Sequence, residues 1–266
     1  MTISDVFTYE AGTVPLLVSI PHAGTRLTPA VEDGLSDAAR PLSDTDWHIP
    51  RLYDFARAMG AHILTGNYSR LVIDLNRPSD DQPLYATATT GLYPDTLFDG
   101  THTFKPAAAP DPQERKRYLE QIWHPYHLEL QQCLSTIKAR HEYALLLDAH
   151  SIASVIPRLF EGTLPDLNVG TNDGKSCAPS LSDALSAFCP RQPFSSVING
   201  RFKGGYITRA YGQPHAQQHA VQLELAQCNY MSEHAPYDFL PERAGPIQQT
   251  LRSLLTTLLE WGERSH

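Results

Sequence analysis

The sequence predicts a single α/β domain spanning residues 1–266. Three observations predict it. Unbroken apolar runs at 14–20 and 143–149 have the length and content of strands covered on both faces, as at the centre of an α/β sheet. Segments 114–140 and 245–262 instead carry apolar residues at helical spacing. Strand-like and helix-like stretches alternate, with no internal repeat, low-complexity tract or clear linker between them.

In chain order, the first strand (14–20) runs into Pro21-His22-Ala23-Gly24 and then a polar, proline-containing loop to Ser43. Asp44-Thr45-Asp46-Trp47 opens a helix, because Asp is a good N-cap and Leu52, Phe55, Ala56 and Met59 follow at helical spacing up to Gly60. His62–Gly66 reads as a short strand and Leu71–Pro78 as another. Residues 79–112 are rich in Pro, Thr, Gly and Tyr without periodicity, and loops of that length in compact domains are usually covers or binding loops. Leu119, Ile122, Trp123, Tyr126, Leu130, Cys133 and Ile137 form one helical stripe, which Pro125 should kink. After the core strand 143–149, further strands fit 168–170 and 196–199, around a helix at 180–188. Gly204-Gly205 lets the backbone come close to a ligand. His219–Leu225 is the last strand, and the helix 245–262 turns Ile247, Leu251, Leu254, Leu255 and Leu258 inward.

Composition narrows the function. With 41% hydrophobic and 19% charged residues the chain is an ordinary folded protein. A net charge of −8 argues against non-specific nucleic-acid binding, and a small anion would need locally clustered arginines. The four cysteines are widely spaced with no C-x-x-C pair, which points to reduced, buried thiols rather than a disulfide frame. The N-terminal residues show no basic region followed by an apolar core, and no apolar run approaches membrane-spanning length; the expectation is a cytoplasmic protein with no membrane partner. Neither G-x-S-x-G, a Walker loop nor G-x-G-x-x-G occurs, which removes the commonest alternatives for an α/β chain.

What remains is two apolar strands that each deliver a histidine, His22 and His150, to the sheet edge where α/β proteins bind ligands. Two such histidines suit a catalytic zinc, which takes three protein ligands and keeps one position open, although other divalent ions accept the same donors. Asp46 is the choice for the third ligand and Asp44 its rival, since one of the two can cap the helix. Glu224, at the end of the last strand, is the candidate general base. Arg70, Arg77 and Arg209 are candidate anchors for a carboxylate, or else structural partners of Asp74 or Asp148. His124 and His127 flank Pro125 in an aromatic stripe, which favours a structural role.

Six blocks in order then resemble the N-formylglutamate amidohydrolase (deformylase) family over about residues 14–260: Ser19–Gly24, Asp44–Trp47, Ser69–Pro78, Asp148–Ser151, Lys203–Arg209 and Gln222–Leu225. The resemblance implies a fold similar to zinc carboxypeptidases, a three-layer domain with a mixed, mostly parallel central sheet between helices. It implies hydrolysis of N-formyl-L-glutamate to formate and L-glutamate, the last step of one histidine-degradation route. By the same resemblance His22, Asp46 and His150 hold zinc or another divalent metal, and Glu224 takes the place of the catalytic glutamate. Asn76-Arg77 resembles the pair that receives one substrate carboxylate, with Arg209 and the Gly204-Gly205 backbone for the other, while Arg70 stays a candidate anchor. No Glu follows His22 at carboxypeptidase spacing, which is where the chain departs from that pattern. The alternatives are a deacylase of another N-acyl acidic amino acid, succinyl or acetyl, and a non-catalytic dicarboxylate-binding protein. Oligomeric state is not legible.

Overall fold

The structure is a computed structural model that describes residues 3–84 and 89–265. Seven strands form one mixed sheet: β1 (Phe7–Glu10), β2 (Leu16–Ile20), β3 (His62–Gly66), β4 (Ala144–Ile152), β5 (Leu167–Gly170), β6 (Ser196–Ile198) and β7 (Gln218–Ala226), in the order β1-β3-β2-β4-β7-β5-β6. The centre, β3-β2-β4-β7, is parallel. Antiparallel pairs occur on either side, β1 against β3 and β5 against β7. The helices are α1 (Pro29–Gly34), α2 (Ile49–Leu52), α3 (Pro112–Tyr118), α4 (His124–His141), α5 (Pro179–Phe188), α6 (Tyr206–Tyr211) and α7 (Pro241–Ser265).

Strand alternation divides the core into two apolar layers. Leu145, Leu147 and Ala149 of β4 and Val221, Leu223 and Leu225 of β7 face the layer formed with α5 and α7, where Leu181, Leu185, Leu251 and Leu255 are buried. Ala144 and Leu146 of β4 and Ala220 of β7 face the opposite layer, with Tyr126, Leu130, Leu134 and Ile137 of α4. Asp148 and His150, and likewise Gln222 and Glu224, therefore lie on the α4 side, where the apolar layer gives way to polar groups. A one-residue slip of β4 would push Asp148 and His150 into the leucine layer, so the apolar face fixes the register that places the chemistry.

Several expectations change. The strand at 143–149 continues to Ile152, so His150 lies within β4 and not beyond it. The helix expected from Asp44 to Gly60 is broken: α2 has only 4 residues and a separate 3-10 turn covers Asp54–Ala56. Its start is set by His48, which takes a left-handed backbone (φ 64°), and by Pro50; Asp44 and Asp46 cap nothing. Residues 71–78 are not a strand. Leu71, Val72, Ile73 and Leu75 are buried in the α4-side layer, but the backbone bonds locally: Val72 N–H to Ser69 O, Asn76 N–H to Asp74 Oδ1 and Arg77 N–H to Asp74 O. Side-chain bonds of this kind replace a sheet ladder.

Three elements went unforeseen: the half-buried edge strand β1, the short helix α1 within the expected loop before Ser43, and the short helix α6. The expected kink near Pro125 takes the form of a π-helical stretch at Leu119–Trp123, joining α3 to α4. Of the long 79–112 region, residues 85–88 lie outside the described residues, and the rest runs irregularly. All four cysteines are free. Among the described residues no helix is long and apolar enough to cross a membrane.

Candidate metal centre and active site

His22, Asp46 and His150 come together although they belong to three different segments. His22 sits in the turn after β2, where Gly24 lets the chain pass so close to Asn67 that a Cβ would lie 2.4 Å from its carbonyl carbon. Asp46 belongs to the turn before α2, and its backbone N–H donates to His22 O at 3.0 Å. That turn is held from behind: Gln227 Nε2 donates to Thr45 O (3.1 Å) and the Tyr230 hydroxyl to Trp47 O (2.9 Å). One ligand atom from each of the three residues lies within 4.8 Å of the others, and all three residues are buried.

Their hydrogen bonds aim the donor atoms. His22 Nε2–H donates to Asp74 Oδ1 at 2.8 Å, which leaves Nδ1 with its lone pair facing Asp46 Oδ2 at 3.8 Å. His150 repeats the arrangement, with Nε2 at 2.9 Å from Asp148 Oδ2 and Nδ1 at 3.0 Å from Asp46 Oδ2. A carboxylate behind each imidazole fixes its tautomer and orientation, as around metal-bound histidines generally. Asn76 Nδ2 donates to Asp148 Oδ2 (3.2 Å), and Arg70 donates to Asp74 Oδ2 (2.7 Å). Within the cluster two buried atoms have no hydrogen-bond partner, His22 Nδ1 and Asp46 Oδ1. Orphaned acceptors of this kind cost about 1–3 kcal/mol each unless something else meets them.

The electrostatics point the same way. Asp46, Asp74, Asp148 and Glu224 surround His22, His150 and Arg70, an excess of buried negative charge. Burial pushes the His22 imidazole down, helped by Arg70 and opposed by Asp74 and Asp46, so it stays neutral and able to ligate. For His150 burial also pulls down, but the Asp148 and Asp46 carboxylates outweigh it and hold the ring well above its ordinary value. Burial pushes Asp74 up, yet His22, Arg70 and Arg77 together hold it well below the usual carboxylate range. Two imidazole Nδ1 atoms and one carboxylate, each braced, with a net negative surround, fit a divalent cation with an open position. Asp44 is not among the three: it accepts from Phe98 N–H (2.7 Å) and from the Ser43 hydroxyl (3.1 Å).

Glu224 lies opposite His150 in the β4–β7 register, and burial raises its carboxyl to about 8, against the lowering pull of His150. Gln222, two residues earlier on the same face, accepts from Gly205 N–H (2.6 Å) and reaches Glu224 Oε2 from Nε2 at 3.5 Å. These groups line a cavity of about 550 Å³, open mouth included, together with Asn76, Arg70, Arg77 and Gly205. Arg77 donates from Nε to Thr90 O (2.7 Å) and from a terminal nitrogen to Thr89 Oγ1 (3.0 Å). Arg70 is committed to Asp74 and Asp46 and stacks over Phe98 at 4.6 Å. Gly204 and Arg209 are not among the lining residues; Arg209 Nε donates to Gly204 O at 2.8 Å, bracing the loop that carries Gly205. His127 packs on Trp123 (3.8 Å between ring centres) and donates to Leu75 O, away from the cluster.

Gln222 and Arg201 line the cavity and were missed in the sequence. Gln222 was legible, because strand alternation puts it on the face of Glu224. Arg201 had no local signal.

The chain also matches known proteins in sequence and in fold. The family model described as N-formylglutamate amidohydrolase matches residues 14–231. A Pseudomonas aeruginosa protein named N-formylglutamate deformylase is 57% identical over 263 residues, 98% of this chain and 99% of its own. A protein of the same name from Pseudomonas putida is 57% identical, covering 97% of each. In fold, the crystal structure of N-formylglutamate amidohydrolase from Ralstonia eutropha JMP134 superposes with a TM-score of 0.84 at 21% identity, over 99% of this chain and 100% of that one. A gene product of Agrobacterium tumefaciens superposes with a TM-score of 0.70 at 17% identity, over 98% of this chain and 94% of its own. On the extent of the family match and the identity to both curated relatives, the chain belongs to the N-formylglutamate amidohydrolase family.

Proposed function

We propose that the protein is a metal-dependent amidohydrolase that cleaves N-formyl-L-glutamate to formate and L-glutamate. One observation carries the chemistry: a buried His22–Asp46–His150 cluster with a carboxylate behind each histidine, next to Glu224 in an arginine-lined cavity. The substrate follows from the name shared by the two relatives that are 57% identical.

His22 Nδ1, Asp46 and His150 Nδ1 would hold a zinc or similar divalent ion, which would supply Lewis acidity for the formyl oxygen and would lower the pKa of a bound water toward about 7. Glu224 accepts the proton of the attacking water and passes it to the leaving amine nitrogen. A cation close by favours the ionised form of Glu224 and so brings its raised pKa down toward the working range of a base. Asn76 and Arg77 take the α-carboxylate, which orients the formyl group toward Glu224. Arg70 adds positive charge near the oxyanion as the carbonyl carbon becomes tetrahedral. In metabolism this reaction is the last step of one histidine-degradation route.

The test is release of L-glutamate from N-formyl-, N-acetyl- and N-succinyl-L-glutamate, with and without chelator. Turnover confined to the formyl compound and abolished by chelator is the expected result. Faster turnover of the acetyl or succinyl compound overturns the substrate, and undiminished turnover in a metal-stripped sample overturns the metal.

A further inference from the structure

Resting on that reading of the substrate, the geometry points to Arg201 as the residue that recognises the substrate's side-chain carboxylate and sets a preference for acidic over neutral N-formyl amino acids. A dianionic substrate needs two cationic contacts in a protein whose net charge is −8. Three arginines line the cavity: Arg70, Arg77 and Arg201. Arg70 is buried and ion-paired with Asp74 and Asp46, which places it at the His22–Asp46–His150 cluster and so at the reacting end. Arg77 adjoins Asn76, whose Nδ2 lies 3.0 Å from His150 Nε2, and so belongs to the reacting end.

Arg201 lines the same cavity from the segment after β6. It stands on a separate small apolar cluster that includes Phe98 and Ile152, with Leu159 and Phe202 packed against them. Ile152 is two residues beyond His150 on the same face of β4, so this apolar wall begins where the metal cluster ends. A glutamyl side chain is two methylenes followed by a carboxylate. An apolar wall followed by a guanidinium is its complement.

The Arg201 side chain is also held in place. Its Nε–H donates to Leu159 O at 2.8 Å, and its guanidinium carbon lies 5.3 Å from the centre of the Phe202 ring. These two contacts fix the plane of the guanidinium, and an oriented planar fork binds a carboxylate more selectively than a lysine ammonium does.

The experiment compares kcat/KM for N-formyl-L-glutamate and its neutral isostere N-formyl-L-glutamine on the metal-loaded enzyme, in wild type, Arg201→Met and Arg201→Lys. Both substrates are measured on one preparation, so their ratio does not depend on the folded fraction. In Arg201→Met the glutamate value falls on the order of 100-fold, mainly through KM, while the glutamine value changes little; a buried carboxylate that loses its cation produces an effect of that size. Arg201→Lys keeps an intermediate ratio. A wild-type ratio in Arg201→Met overturns the inference, and if that variant is inactive on both substrates, a wild-type ratio in Arg201→Lys does so instead. A wild-type enzyme inert toward N-formyl-L-glutamate is a separate outcome that overturns the proposed function along with it.

Discussion

His150 and Glu224 face each other as register partners across the parallel pairing of β4 and β7. One strand thus carries a candidate ligand and its neighbour the candidate base, with the sheet's own hydrogen bonds fixing the gap between them. A base set on a strand cannot swing away from the water it must deprotonate.

Glu224→Gln keeps the shape and removes the basicity. Formate release should fall by about 100-fold to 10,000-fold, the usual worth of a positioned general base. Metal content by elemental analysis should stay at wild-type level. Wild-type turnover in the variant would take Glu224 out of the mechanism.

The two neighbouring aspartates separate cleanly. Asp46→Asn should lose metal, since Asp46 faces both imidazole Nδ1 atoms. Asp44→Asn should retain it, since its carboxylate is occupied with Phe98 N–H and the Ser43 hydroxyl. Metal titration of both variants decides; a tightly metal-bound Asp46→Asn would remove it from the ligand set.

The carboxylates behind the histidines should matter almost as much as the histidines. Asp148→Asn removes the negative charge behind His150 Nε2–H and should weaken metal binding about 10-fold to 100-fold. Chelator competition measures this directly, and an unchanged dissociation constant would limit Asp148 to packing.

Metal should also act as a fold ligand. Free metal at a hundred times its dissociation constant adds about 2.7 kcal/mol to stability. For a domain of this size that raises Tm by about 5 °C or more. Calorimetry of stripped and reloaded protein tests it; identical melting curves would mean that the folded state gains nothing from the cation.

His127 gives a pH signature remote from the metal. Burial lowers its pKa to about 3, despite the raising effect of its bond to Leu75 O, whereas an unfolded histidine titrates near 6.5. Below pH 6.5 the unfolded chain takes up a proton that the folded chain refuses, so stability is lost as pH falls through this window toward 3. At pH 5 the loss amounts to about 2 kcal/mol. Denaturant melts of His127→Gln at pH 8 and pH 5 should lack this increment relative to wild type; equal pH slopes would sink the assignment.

How much of this was legible in the sequence depends on where each residue finds its partners. The central strands were legible because burial on both faces leaves an unbroken apolar run, as in Leu145–Leu147. The convergence of His22, His150 and Glu224 on one side of the sheet was legible because each lies at or just beyond the end of an apolar run, whereas Asp46 was picked only as the start of the expected helix. The stretch 71–76 misled because its apolar residues are buried without joining the sheet; the Ser69 and Asp74 side chains and nearby carbonyls, not a neighbouring strand, take the backbone bonds. The helix after Asp46 misled because the left-handed backbone of His48 leaves no mark in periodicity. The edge strand β1 was too short and too exposed for a pattern. Arg201 depends on Leu159 and Phe202, and its bond to Leu159 spans 42 positions. No local rule reaches that far.

Asp46 and His150 meet across 104 positions of chain. A divalent ion held by this cluster would find no complete site during synthesis until β4 has emerged and paired with β2, so loading would wait for the same long-range contact that joins the two strands.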